Sequence, residues 1–157
     1  MQLIARSRDE VLATLEVLTP EVRAYLSPQW LALLAASSPQ DPWVHGFNIV
    51  NDTGLAVGIC AFKGPPTEGV VEIAYAVNPE QQRRGYATAA ARALIGYAFG
   101  SGLVGTVRAH TLPDGVASQR VLLKCKFHQF GEVQDPEDGL VWRYEMSRRW
   151  MSDSVTE

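Results

Sequence analysis

Gln82, Arg83, Arg84 and Gly85 lie between an apolar run, VVEIAYAV at 70–77, and a helix-forming stretch that begins at Tyr86. That order builds a seat for a phosphorylated ligand. The first N–H groups of a helix have no intrahelical partner, and the positive end of the helix dipole strengthens their pull on an anion. Gly85 lets the backbone approach phosphate oxygens that a Cβ would hold away. Tyr86, Ala87 and Thr88 form the first helical turn above it. A second chemical group precedes the turn. Strand periodicity places Glu72, Ala74 and Ala76 on one face and Ile73, Tyr75 and Val77 on the other. A carboxylate thus shares a face with two small side chains, which leaves room for a ligand arm beside it.

The surrounding elements must hold that strand and turn in place. Residues 3–6 read as a short edge strand, and Ser7 or Asp9 caps a helix with Val11, Leu12, Leu15 and Leu18 on one side. Thr19-Pro20-Glu21 starts a further helix, which Pro28 divides in two, and 37–42 is a loop. VHGFNIV at 44–50 and LAVGICAFKG at 55–64 form a hairpin around Asn51-Asp52-Thr53-Gly54. After the helix from Tyr86 come a strand at 105–111, a short helix at 116–126, and strands at 127–133 and 140–146. Residues 1–147 form one domain, and 148–157 are expected to fray as a tail. Strands alternating with helices after an antiparallel start imply a mixed α/β sheet with helices on its faces. Parallel crossovers then place the 78–87 turn at the carboxyl end of a central strand, where open sheets bind ligands.

Composition narrows the partners. The chain has 157 residues, 46% of them apolar, enough for one domain that buries roughly 70% of its unfolded surface. Fourteen basic and 17 acidic residues give a net charge of −3, which argues against a nucleic-acid surface. Cys60 and Cys125 are far apart and read as reduced, structural thiols; no His or Cys spacing points to a metal. No run approaches the roughly 20 apolar residues of a membrane span, so a soluble cytoplasmic protein is expected.

Gln82-Arg83-Arg84-Gly85-Tyr86-Ala87 resembles the Gln/Arg-x-x-Gly-x-Gly/Ala signature of the GNAT superfamily of acetyl-CoA-dependent N-acyltransferases. Residues 114–127, DGVASQRVLLKCKF, resemble the downstream motif of its RimJ/RimL-like branch. The resemblance is close over 68–127 and elsewhere covers only the order of elements. It implies a GNAT-like α/β (α+β) fold, with a mostly antiparallel sheet of six to seven strands and helices on both faces. It also implies acetyl-CoA as co-substrate, held by Gln82, Arg83, Arg84, Gly85, Tyr86, Ala87 and Thr88 and by strand backbone at Ala76 and Val77. Three positions depart from the family pattern. Gly115 stands where the family usually has Asn, Lys126 replaces a Gly before Phe127, and Leu122 takes the place of the Tyr that protonates the leaving thiolate in many members.

The same resemblance implies roles for two side chains. Glu72 matches the general base of some members; as a plain strand carboxylate it would instead pair with an Arg. Ser118 matches the Ser of the RimJ/RimL-like pattern and would bind the pantetheine arm, relay a proton or cap a turn. An N–H near Ala76 or Val77 is the expected oxyanion donor. Tyr75 and Tyr86 read as packing residues, and of the three histidines only His110, at a strand end near the site, merits a test. The expected reaction is acetyl transfer to a primary amine by direct attack, the acceptor being a protein N-terminal α-amine or a small amine. An acyl-CoA-binding module without catalysis is the alternative, and monomer and homodimer both remain open.

Overall fold

The N-terminal helices all start by one device. In this computed structural model, which describes residues 1–136 and 138–150, β1 (Gln2–Ala5) leads to α1 (Arg8–Glu16), α2 (Pro20–Arg23), α3 (Pro28–Ala36) and α4 (Pro42–His45). Ser7, Thr19, Ser27 and Asp41 each accept a hydrogen bond from an N–H of the following turn. A proline in the first turn of the last three gives up an N–H that the helix does not use. The expected strand from residue 44 is corrected here. Asp41 and Pro42 start a helical turn that carries Val44 and His45, and Gly46, at φ +71°, ends it before the strand begins at Phe47.

The sheet has seven strands in the order β1-β2-β3-β4-β5-β7-β6. After β2 (Phe47–Val50) and β3 (Ala56–Phe62) come β4 (Val70–Val77), α5 (Tyr86–Gly100), β5 (Thr106–Thr111), α6 (Val116–Lys124), β6 (His128–Asp135) and β7 (Gly139–Ser147). Every joint is antiparallel except β4 with β5. Strand number and mixed, mostly antiparallel character agree with the sequence reading.

One face of the sheet carries the core. Ala90, Ala91, Leu94, Ile95, Ala98 and Phe99 of α5 are buried with Val71 and Ile73 of β4, and the three small alanines let the helix lie close. Trp43, Phe62 and Tyr97 pack ring against ring, with Trp43 at 4.6 Å from Phe62 and 5.2 Å from Tyr97. Of the three only Phe62 is fully buried, and its burial contributes about 2–3 kcal/mol. On the opposite face Asn48 of β2 donates to the Glu10 carboxylate of α1 at 2.8 Å. Residues 148–150 do not fray: Arg148 N donates to Gly105 O at 2.9 Å, and the Trp150 ring stacks on Phe130. The remainder of the expected tail, 151–157, lies outside the described residues. Among the described residues no helix is long and apolar enough to cross a membrane.

Candidate active site

The β4–β5 ladder is short. It pairs Val70 with Thr106, Val71 with Val107 and Glu72 with Arg108, then stops although both strands continue. Ile73 to Val77 therefore diverge from Ala109 to Thr111 as a wedge. Which amides face it follows from the other edge of β4. Glu72 O accepts from Lys63 N, and Asn78 N donates to Val57 O, so the even-numbered residues of β4 turn their backbone groups to β3. Ile73, Tyr75 and Val77 turn theirs to the wedge. Of the two expected oxyanion donors, Ala76 is thus corrected: its amide belongs to the β3 ladder opposite Ile59, while the amide of Val77 faces the gap. The Tyr75 amide faces it too, which follows from the register and not from the strand alone.

Beyond β4 a 3-10 turn, Pro79–Gln81, leads into the basic loop. Arg83 and Gly85 both adopt left-handed backbone, at φ +64° and +84°. Such switches gather successive N–H groups into an anion-binding concavity. Gly85 is the N-cap of α5 and supplies no side chain to its first amides, so Tyr86, Ala87 and Thr88 present N–H groups to an outside acceptor. A Cβ built on Gly85 meets no atom within 4 Å, so the space beside it is free for a ligand. The residues thus fit a phosphate group. Gln82 braces the loop, its amide donating to Val77 O at 3.0 Å. Arg83 and Arg84 are exposed on the loop.

On the α5 and α6 side of the wedge, Tyr75 reaches across to α6, where its hydroxyl lies 3.0 Å from Ser118 Oγ. Burial pushes the Tyr75 phenol up to about 12, against a smaller opposing pull from the Ser118 hydrogen bond. Leu122 is fully buried, so hydrocarbon fills the position to which the resemblance assigned a tyrosine. Gly115 is the N-cap of α6 and makes no side-chain cap bond.

The other face of β4 carries charge. Glu72 Oε2 lies 3.0 Å from Lys63 Nζ and 3.0 Å from His110 Nδ1. Arg143 Nε donates to His110 Nε2 at 3.0 Å. A guanidinium only donates, so Nε2 must accept and the proton of the neutral ring sits on Nδ1, toward Glu72. That contact is short but off the N–H line, and Nδ1 has no aligned hydrogen-bond acceptor. Arg108 and Glu145 form a neighbouring pair at 2.7 Å. Burial alone would lower the Lys63 ammonium, but Glu72, with Asp138 and Asp135, outweighs it and holds the ammonium above its ordinary value. A cavity of about 390 Å³ opens beside Glu72, lined also by Lys63, Thr67, Glu68 and Arg108. Sequence reasoning missed Lys63 and Arg143, which come from strands distant in the chain.

The remaining candidates are structural. His45 is buried between Ser37 Oγ and Asp41 N, and His128 packs on Trp150. Cys60 and Cys125 are both free and buried. Burial raises the Cys60 thiol to about 12 and Tyr75 to about 12. The folded state keeps these protons to higher pH than an unfolded chain, whose groups titrate near 8.5 and 10. Stability from both groups is therefore complete below pH 8.5 and lost as pH rises toward 12, at roughly 1.4 kcal/mol per unit of separation for each. Thermal melts across pH 8–11 are expected to show a midpoint that falls steadily above pH 9; a level midpoint would count against this burial.

The wedge, the uncapped helix start and the left-handed loop together suit a strand-like arm ending in phosphates. Residues 5–128 match the acetyltransferase (GNAT) domain family. YjdG of Bacillus subtilis (strain 168), an uncharacterized N-acetyltransferase, is 34% identical over 88 residues, 55% of this chain and 51% of the relative. The chain thus spans about half the length of that curated relative. RimJ of Mycobacterium smegmatis, solved in complex with CoA-disulfide, has a TM-score of 0.61 at 23% identity, over 68% of this chain and 54% of that one. The aminoglycoside acetyltransferase AAC(6')-Ib, solved with coenzyme A and kanamycin, has a TM-score of 0.69 at 20% identity, over 98% of each chain. At those identities the two structural likenesses speak for the fold. The family match extends from β1 through the wedge, the loop and α6 to the start of β6, and on that ground the chain belongs to the GNAT acetyltransferase family.

Proposed function

We propose that the chain moves an acetyl group from acetyl-CoA to a primary amine, by direct attack with both substrates bound. The observation that carries this reading is the wedge, because it turns the Tyr75 and Val77 amides toward a gap with an anion seat at its end. The loop from Arg83 to Gly85 and the first turn of α5 would hold the phosphates, and the odd-numbered amides of β4 the pantetheine. Acetyl-CoA supplies an acyl group already activated as a thioester. The amide of Val77 is the donor best placed to polarise its carbonyl. Ser118 serves the sulfur side, through its match to the RimJ/RimL-like pattern.

Glu72 is the proposed base. A lysine-like amine, with a pKa near 10.4, is neutral at only about one part in 10³ at pH 7, a deficit of roughly 4–5 kcal/mol, whereas an α-amine is short by about 1 kcal/mol. Proton removal therefore matters most for the former. Glu72→Gln is expected to lower kcat/KM about 10²-fold for amines near pKa 10 and much less for α-amines. Initial rates on a panel of both amine types would show it, and equal rates for variant and wild type would remove Glu72 from the mechanism. The acceptor itself is a protein N-terminal α-amine or a small amine.

One observation favours the second reading, an acyl-CoA-binding module without turnover: Lys63 and His110 already engage the Glu72 carboxylate. Calorimetric binding of acetyl-CoA with no product on any amine would support it.

A further inference from the structure

We infer that Arg143 is a positioning residue for Glu72: it fixes which nitrogen of His110 carries the proton, and the ring then holds one carboxylate oxygen so that the other is left for the acceptor amine. This rests on the reading of Glu72 as the base in acetyl transfer and adds what aims that carboxylate. Glu72, His110 and Arg143 stand on three successive strands of the sheet, β4, β5 and β7, and His110 lies directly opposite Arg143. Arg143 Nε donates to His110 Nε2 at 3.0 Å, and among the described residues the guanidinium makes no ion pair. The neighbouring charges are matched to one another. Arg108 pairs with Glu145 at 2.7 Å and Lys63 with Glu72 at 3.0 Å, while Asp135 and Asp138 act on Lys63. Arg143 is thus directed at the ring alone.

The direction of each contact is settled by the groups themselves. A guanidinium has no lone pair to offer, so Nε2 accepts and the neutral ring keeps its proton on Nδ1. That nitrogen is sealed from solvent, and Glu72 Oε2 lies 3.0 Å from it. The N–H is off the line to the oxygen, so the attraction is that of a dipole for a charge and not a full hydrogen bond. The opposite tautomer would set the Nδ1 lone pair against the same oxygen and turn attraction into repulsion. Lys63 Nζ also meets Oε2, at 3.0 Å. Both contacts fall on one oxygen, and among the described residues Glu72 Oε1 has no partner. Oε1 is therefore the atom that takes the amine proton. As the amine nitrogen's electron pair forms the C–N bond, the C–S bond breaks with its pair on sulfur and the amine proton passes to Oε1. His110 and Arg143 neither gain nor lose a proton, and solvent afterwards relieves Glu72 and protonates the thiolate.

Two-bond proton–nitrogen correlation of the histidine rings reads the tautomer directly. The chain has three histidines, and loss of one signal in His110→Asn identifies the ring in question. In the wild-type protein its proton is expected on Nδ1, with Nε2 bare. Arg143→Met sets a methyl as many bonds from the backbone as Nε, and Nε2 should then carry the proton. Arg143→Gln sets an amide N–H at that place and should keep the wild-type pattern without the charge. In turnover of amines with pKa about 10, Arg143→Met should lower kcat about ten-fold at unchanged KM for acetyl-CoA, and Arg143→Gln should recover most of that loss. Added to Glu72→Gln, Arg143→Met should cost nothing further, because it acts through that carboxylate. Melts establish that the variants fold. A wild-type ring with its proton on Nε2 would overturn the inference before any variant is made, and so would an undiminished rate in Arg143→Met. Full activity of Glu72→Gln would remove the base and this inference with it, whereas a slow Glu72→Gln beside a fully active Arg143→Met would sink the inference alone.

Discussion

Gly85→Glu is expected to weaken acetyl-CoA binding at least a hundred-fold, about 2.7 kcal/mol, while the protein stays folded. Two features separate ligand loss from collapse. The Cβ at Gly85 would meet nothing within 4 Å, so the substitution displaces no protein atom. The backbone there is left-handed at φ +84°, which costs a non-glycine residue about 1–2 kcal/mol and lowers the melting midpoint by a few degrees. The carboxylate then occupies the space beside the amides of Tyr86, Ala87 and Thr88, and it carries the same charge sign as the phosphates it would exclude. Titration of acetyl-CoA and desulfo-CoA into both proteins checks the result. Similar affinities for wild type and variant would mean that the loop is a plain strand-to-helix junction.

Gly58→Ala is expected to be the most damaging small change in the sheet. Gly58 of β3 lies opposite Val77 of β4, and an added Cβ would run into the Ala76 carbonyl oxygen and come within 2.9 Å of the Val77 Cα. Backbone atoms cannot rotate aside, so the strands must part at the end of β4 that forms the wedge. A loss of about 3 kcal/mol follows, or roughly 10 °C in melting midpoint for a domain of this size. Acetyl-CoA affinity should fall as well, because the Val77 amide moves with its strand. Gly96→Ala in the middle of α5 is the control: no atom lies within 4 Å of that Cβ, and the change should stabilise the protein by about 0.5–1 kcal/mol. A Gly58→Ala protein that melts with wild type would refute the close approach of β3 to β4.

What could be read from the sequence were the elements with strong local signals. VVEIAYAV became β4 over the whole of 70–77, and the helix began at Tyr86, because apolar alternation and a glycine N-cap are both local. The turn at 42–45 was misread because Trp43 and Val44 also look like the start of a strand, although Asp41-Pro42 is a legible helix start. The faces of β4 came out correctly, but not the direction of its amides. That direction depends on which neighbour is antiparallel and in which register, as the bonds of Glu72 and Asn78 to β3 show. The surroundings of Glu72 were harder still. Lys63, His110 and Arg143 belong to three other segments, and only the sheet order brings Lys63 and the His110 ring to one carboxylate and Arg143 to the far nitrogen of that ring. Gln82 shows a different limit: its side-chain bond to Val77 O, which ties the loop to the end of β4, could not be read from its type.

The short ladder between β4 and β5 has a mechanical consequence. Three residue pairs, from Val70 to Glu72, are the seam between a four-strand panel and a three-strand panel. A guest arm lying along Tyr75 and Val77 would act as a missing eighth strand, bridging two plates that the polypeptide itself joins only at one end. Rigidity of the whole molecule would then be partly borrowed from its substrate, and the empty protein would be the softer form.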